Sequence, residues 1–231
     1  MNGLTQWLDQ LNFSYLYEMI LIVAASLLSI TAHEASHGLA ALWMGDDTAK
    51  KQGRNSLNPF RHVDLMGLIM LAFVRFGWAK PVPINMYNFR NPKVGMIVTA
   101  LAGPVSNILS ALIACVLWTV CFAVIPYVSA GSVLGYVLFF LECSASISAG
   151  LAVFNLLPIP PLDGSKVLFA VLPDCWYEKL LRFERYGMVL LVLLLLTNVL
   201  DVPLLFLRGK LLDLITWITE PLYYFVAERL I

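Results

Sequence analysis

Charge is scarce in this chain. Only 13% of its 231 residues are Asp, Glu, Lys or Arg, while 60% are hydrophobic and the mean hydropathy is +0.79. Soluble domains carry about 25% charged and about 45–50% apolar residues. An ordinary globular core cannot absorb that excess, so a soluble all-helical protein is set aside and lipid is expected to cover much of the surface. Charge of one sign is not in surplus either. The 15 basic and 15 acidic residues cancel, which removes the electrostatic basis for a nucleic-acid partner. The four cysteines, Cys115, Cys121, Cys143 and Cys175, have no C-x-x-C spacing, and three lie in strongly apolar stretches. They read as free buried thiols rather than a disulfide framework or a thiolate zinc site. No lysine or arginine precedes Lys50, and Asp9 stands where a basic leader would begin, so no cleavable signal peptide is expected. Internal repeats and low-complexity linkers are also missing.

What is present is a series of long apolar runs. They extend over about Tyr15 to Met44, Val94 to Ile125 and Val133 to Leu157. A spanning helix needs about 20 apolar residues, so these three are expected to cross a bilayer. A shorter run, Tyr186 to Leu200, and a weaker one, about Leu211 to Val226 with Asp213 and Glu220, add one or two C-terminal helices. The last either spans or lies in the interface. The fold expected is therefore an all-α polytopic membrane protein.

Basic residues are unevenly placed. Lys50, Lys51, Arg54, Arg61, Arg75, Lys80, Arg90 and Lys93 fall between the first two runs, and Lys166, Lys179, Arg182 and Arg185 follow the third. The amino terminus and the turn near Pro126 to Ser132 hold none. Positive residues favour the cytoplasmic side, which puts both basic connections inside and the amino terminus outside. Within the first connection, Leu65 to Phe76 is apolar but too short to cross. The segment Asp64 to Asn85 reads either as a re-entrant element with a β-hairpin or as a loop on the headgroups.

The first run carries a polar island, His33-Glu34-Ala35-Ser36-His37, which matches H-E-x-x-H. Residues four apart on a helix lie about 40° apart in projection, so both imidazoles can face one metal with Glu34 beside them. Two neutral imidazoles suit zinc, and the adjacent carboxylate suits proton transfer from water. A carboxylate at the centre of a spanning helix costs about 2.5–3.5 kcal/mol, and a bivalent cation compensates it. Catalytic zinc takes three protein ligands. His62, next to Arg61 in the basic connection, reads as a solvated surface residue. Asp163, in Asn155-Leu-Leu-Pro-Ile-Pro-Pro-Leu-Asp163-Gly164, is the better third ligand, because Pro158, Pro160 and Pro161 interrupt the helix and Gly164 permits a tight turn. On local sequence alone Asp163 also reads as a cap for the helix that follows.

His33–His37, the Asn155–Gly164 stretch and Ala102-Gly103-Pro104-Val105-Ser106-Asn107 together resemble the site-2 protease family of intramembrane zinc metalloproteases. The likeness covers about Ala32 to Lys166, and Phe76-Gly-Trp-Ala-Lys-Pro-Val-Pro83 is similar to a stretch in short bacterial members. It implies one zinc per chain on His33, His37 and Asp163, Glu34 as general base, and Asn155 as a contact to substrate backbone. The implied substrate is a transmembrane segment of another membrane protein, cleaved in a bacterial cytoplasmic membrane, and the charge rule puts His33–His37 in the cytoplasmic half of the first span, on the same side as Asp163. The expected organisation is one peptidase domain over 1–231, with a catalytic core at about 15–166, C-terminal helices at about 186–231, and no PDZ or CBS domain. The tail beyond about Trp176 matches nothing diagnostic. Asn107 and Pro104 read either as support for the site or as helix packing, Gly103 and Ser106 are small enough for close helix approach, and the motif is assigned to structure. Two other classes fit an intramembrane metal group: a metal transporter, and a catalytically silent metal-binding scaffold. Oligomeric state is not encoded in any feature of the chain.

Overall fold

The computed structural model describes residues 13–62, 64, 67, 80–127, 132–172 and 186–230. Among these, all regular structure is helical. In chain order the helices are α1 (Phe13–Met44), a single turn α2 (Thr48–Lys51), α3 (Pro92–Val124), α4 (Ser132–Asn155), α5 (Asp163–Val171), α6 (Tyr186–Leu196) and α7 (Asp201–Leu230). Three of them, Tyr15–Met44, Pro92–Val124 and Val133–Asn155, are long and apolar enough to cross a membrane. This is the architecture of a multi-pass membrane protein. At 1.5 Å per residue the 33 residues of α3 measure about 50 Å, well beyond a hydrocarbon layer of about 30 Å, so the helix tilts or projects from it.

The C-terminal helices differ from the sequence expectation. The run Tyr186 to Leu200 is helical only to Leu196, about 16 Å of helix and too short to cross alone. Asn198, at φ 56°, ends it in the left-handed region, and α7 begins at Asp201, ten residues before the apolar run at Leu211. The axes of α6 and α7 meet at 87°, so the pair makes one broken span or a re-entrant element. The expected hairpin over Asp64 to Asn85 falls mostly outside the described residues. Its described end, Lys80–Asn85, is irregular backbone, and no strand occurs among the described residues.

α3 is the hub: α1, α4, α5 and α7 all pack on it, and α4 also touches α1 and α7. Small residues make this approach possible. Ala25, Ala100, Ala111, Ala149 and Ala152 are all buried between helices, while Leu28, Leu39, Ile113 and Leu117 point outwards to where lipid lies. A buried hydrogen bond between Ser29 Oγ and Ser148 Oγ, 2.8 Å, ties α1 to α4. The start of α3 is set by Asn91, whose side chain accepts from Val94 N, followed by Pro92 in the first turn.

The end of α1 is set by Gly45, at φ 112°, a conformation that side chains other than glycine's resist. Asp46 follows, fully buried. Its carboxylate accepts from Asn85 N at 2.7 Å, Asn88 Nδ2 at 2.8 Å, and both the amide and hydroxyl of Thr48. Burial alone would raise its pKa, but these hydrogen bonds outweigh burial and hold it below the ordinary carboxylate range. The carboxylate thus clamps Asn85–Asn88 to the end of α1. The neighbouring stretch is pinned by Arg54, which donates to the carbonyls of Lys80 at 2.6 Å and Arg61.

Candidate metal centre

Side chains from α1 and α5 converge in one buried polar group against α3. His33 and His37, one helical turn apart on α1, hold their rings at right angles with centroids 4.6 Å apart. Their Nε2 atoms are 3.0 Å from each other, and 3.1 and 3.2 Å from Asp163 Oδ2. All three residues are buried, and one ligand atom from each falls within 4.8 Å of the others. Asp163 reaches this position because the chain leaves α4 at Asn155, runs irregularly through the prolines, and restarts as α5 at Asp163 itself. Gly164 makes the return tight. A Cβ there would stand 2.2 Å from the Leu156 carbonyl oxygen. Asp163 does not cap α5 from outside; it is the first helical residue, and Leu162 occupies the N-cap.

The proline turn is backed by the C-terminal helices. Leu162, Leu191 and Leu200 form a buried cluster with Phe154, Leu157, Ile159, Leu194 and Leu204. A Cβ on Gly187 would meet Pro160 at 2.4 Å, so α6 lies directly against the turn. The C-terminal helix α6, where the sequence reading found nothing diagnostic, therefore packs against the turn that leads to Asp163.

The donor set fits zinc. Ligands about 2.0–2.1 Å from a tetrahedral ion stand about 3.3–3.4 Å apart, close to the 3.0–3.2 Å separations of the three facing atoms. Room for the rings exists only because position 103 lacks a side chain. A Cβ on Gly103 would be 2.5 Å from both His33 Cε1 and His37 Nε2. The other imidazole nitrogens are also occupied: His37 Nδ1 donates to the Thr99 carbonyl at 2.7 Å, and His33 Nδ1 is 3.1 Å from Asn107 Nδ2. Asp163 Oδ1, turned away from the histidines, accepts from Lys166 Nζ at 3.1 Å.

Glu34 sits beside this group, half-buried, its Oε2 accepting from Val82 N at 3.0 Å. Asn155 is the last residue of α4 and donates from Nδ2 to Leu151 O; it is not one of the three converging residues. His62 corrects the sequence reading. It is 1% exposed rather than solvated, with Nε2 on the Ser56 carbonyl at 2.7 Å and its own carbonyl accepting from Lys80 N. Arg61 before it and Asp64 after it suggested a surface, but the chain around Ser56 and Lys80 folds back on His62 and buries it. For Asn107 the structure takes the other of the two readings, site support, since its carboxamide meets His33, and Gly103, assigned to packing alone, also lies against both imidazoles. The signal lay in their spacing: four apart, they share a face of α3 with Thr99, another four residues back.

This arrangement of an H-E-x-x-H pair and a distant aspartate has relatives. The chain is 36% identical over 190 residues to YwhC of Bacillus subtilis (strain 168), covering 82% of this chain and 86% of that one. It belongs to peptidase family M50. The model of Peptidase family M50 matches residues 122–197, the part that contains Asp163 and the proline turn. A second M50 relative, Rip2 of Mycolicibacterium smegmatis (strain ATCC 700084 / mc(2)155), is 30% identical over 197 residues, covering 81% of this chain and 71% of that one. Rip2 of Mycobacterium tuberculosis (strain ATCC 25618 / H37Rv) is 28% identical over 192 residues, with 81% and 71% covered. The names of all three class them provisionally as zinc metalloproteases. No solved structure matches. Membership places this chain among the site-2 protease type of metalloprotease, as its motifs suggested.

Proposed function

We propose that this M50 chain is an intramembrane zinc endopeptidase that hydrolyses peptide bonds within or near transmembrane segments of other membrane proteins. The observation that carries the reading is the buried convergence of His33, His37 and Asp163 inside a bundle of apolar helices, with Glu34 adjoining it. One zinc per chain is held by these three residues, and when bound it supplies Lewis acidity towards water and the scissile carbonyl. Glu34 carries the proton: its carboxylate accepts it from the attacking water and returns it to the leaving amine. The Val82 amide, 3.0 Å from Oε2, fixes the orientation of that carboxylate. Asn155 holds substrate backbone at the mouth of the proline turn. The whole of 1–231 acts as one peptidase domain, with the amino terminus outside and the basic connections in the cytoplasm.

Glu34→Gln tests the reading. Glutamine is nearly isosteric and Glu34 is not a ligand, so the variant keeps its zinc. Cleavage of a single-span substrate in detergent falls by about 10²–10⁴-fold, the usual worth of a general base. Equal turnover at equal zinc content refutes the mechanism. Zinc flux across proteoliposomes with no cleavage by the wild type would make the chain a transporter, and zinc held with neither activity would make it a scaffold.

A further inference from the structure

Each imidazole in the metal group uses one nitrogen to face the metal position, and the other nitrogen decides whether it can. A neutral imidazole has one N–H and one lone pair. His33 and His37 turn Nε2 towards Asp163 Oδ2, so a ligand lone pair there requires the proton on Nδ1. For His37 that proton has a fixed acceptor, the Thr99 carbonyl at 2.7 Å. A main-chain carbonyl only accepts, and the tautomer of His37 follows from it.

His33 has no such carbonyl. Its Nδ1 faces the carboxamide of Asn107, with Nδ2 at 3.1 Å, while Asn107 Oδ1 is buried without a partner and the whole residue is 0% exposed. An amide N–H donated to Nδ1 puts the imidazole proton on Nε2, where it points at Asp163 Oδ2 and leaves no lone pair for a metal. Turning the carboxamide by half a revolution exchanges its ends. Oδ1 then accepts from Nδ1–H, and Nε2 is left with its lone pair. The two orientations occupy nearly the same space, so hydrogen bonding alone selects between them.

We propose that Asn107 is a positioning residue that selects the tautomer of His33. Its carboxamide oxygen, which has no other partner, accepts from Nδ1–H, and the lone pair that a metal needs then stays on Nε2. Asparagine suits the task because it carries donor and acceptor in one plane. Aspartate offers the acceptor alone, and leucine, of similar size, offers neither. Gly103 one turn earlier brings α3 close enough to α1 for the contact. The proposal rests on the metal reading above.

Zinc affinity, measured by competition with a chromophoric chelator on purified full-length protein, tests it alongside ¹⁵N spectra of imidazole-labelled samples. The chain has only 3 histidines, so the ring signals are few. Asn107→Leu is expected to bind zinc about 10–100-fold more weakly, the usual cost of removing a partner behind a metal-bound histidine. Asn107→Asp is expected to restore most of that loss, and zinc-loaded wild type to show His33 protonated at Nδ1. A purely packing role would weaken the aspartate variant as much as the leucine one, and that result overturns the proposal. Wild-type affinity in Asn107→Leu, or His33 bound through Nδ1, overturns it too. If Asn107→Leu does not fold, Asn107→Asp and the wild-type ring signals decide. A wild type that takes up no zinc refutes the metal reading itself, so the two failures are distinguishable.

Discussion

A methyl group on Gly103 would test the proposed metal centre without replacing any of its three converging side chains. The alanine Cβ would stand 2.5 Å from His33 Cε1, 2.5 Å from His37 Nε2 and 2.6 Å from His37 Cε1. Non-bonded carbons settle at about 3.5–4.0 Å, so the rings or the helix must give way by about 1 Å. Both rings are buried and each is tied at Nδ1, which leaves little freedom to turn aside. Metal–ligand distances tolerate only about ±0.2 Å, so one imidazole leaves ligating range. A displacement of this size costs about 10²-fold in rate even where the chemistry is otherwise intact. Gly103→Ala is therefore expected to lose zinc on dialysis and to lower cleavage by at least about 10²-fold. Zinc content by elemental analysis and cleavage of a single-span substrate measure it. Gly135→Ala and Gly209→Ala are the controls, since a Cβ at either position meets nothing within 4 Å. Each should leave zinc unchanged and stabilise its helix by about 0.5–1 kcal/mol. If Gly103→Ala retains zinc and turnover like the controls, the close approach of α3 to the imidazoles is not what shapes the site.

Asp163→Asn is expected to lower zinc stoichiometry at fixed free zinc, whereas His62→Ala leaves it unchanged, because His62 is not in the converging group and its Nε2 is held on the Ser56 carbonyl; the reverse ranking in a chelator competition would make His62 the third ligand. Cysteine labelling in intact cells is expected to find position 50 in the cytoplasm and position 129 outside, and cytoplasmic labelling at 129 would invert the proposed orientation.

Apolar run length by itself determined the three long helices, within a few residues at each end, because a lipid-facing helix must be apolar over most of its length. The C-terminal pair was harder to bound. Hydropathy does not see a bend such as the one at Asn198, and α7 takes in Asp201, Arg208 and Lys210, polar residues that lie ahead of the apolar run. The H-E-x-x-H string was legible because its chemistry depends on one helical turn, a local period. Asp163 was legible as the better candidate because prolines announce a break in helix, but local sequence also left it able to be a cap. Only tertiary structure chose, by bringing a residue 130 positions away from His33 to within 3.1 Å of it. The same holds for what surrounds the three converging side chains. That Gly103 is bare because two imidazoles fill its space, that the Thr99 carbonyl and Asn107 stand behind those rings, and that α6 braces the proline turn are facts of packing between elements. His62 shows the limit most plainly. Its neighbours in sequence are charged and its neighbours in space bury it, and burial is decided by the second set.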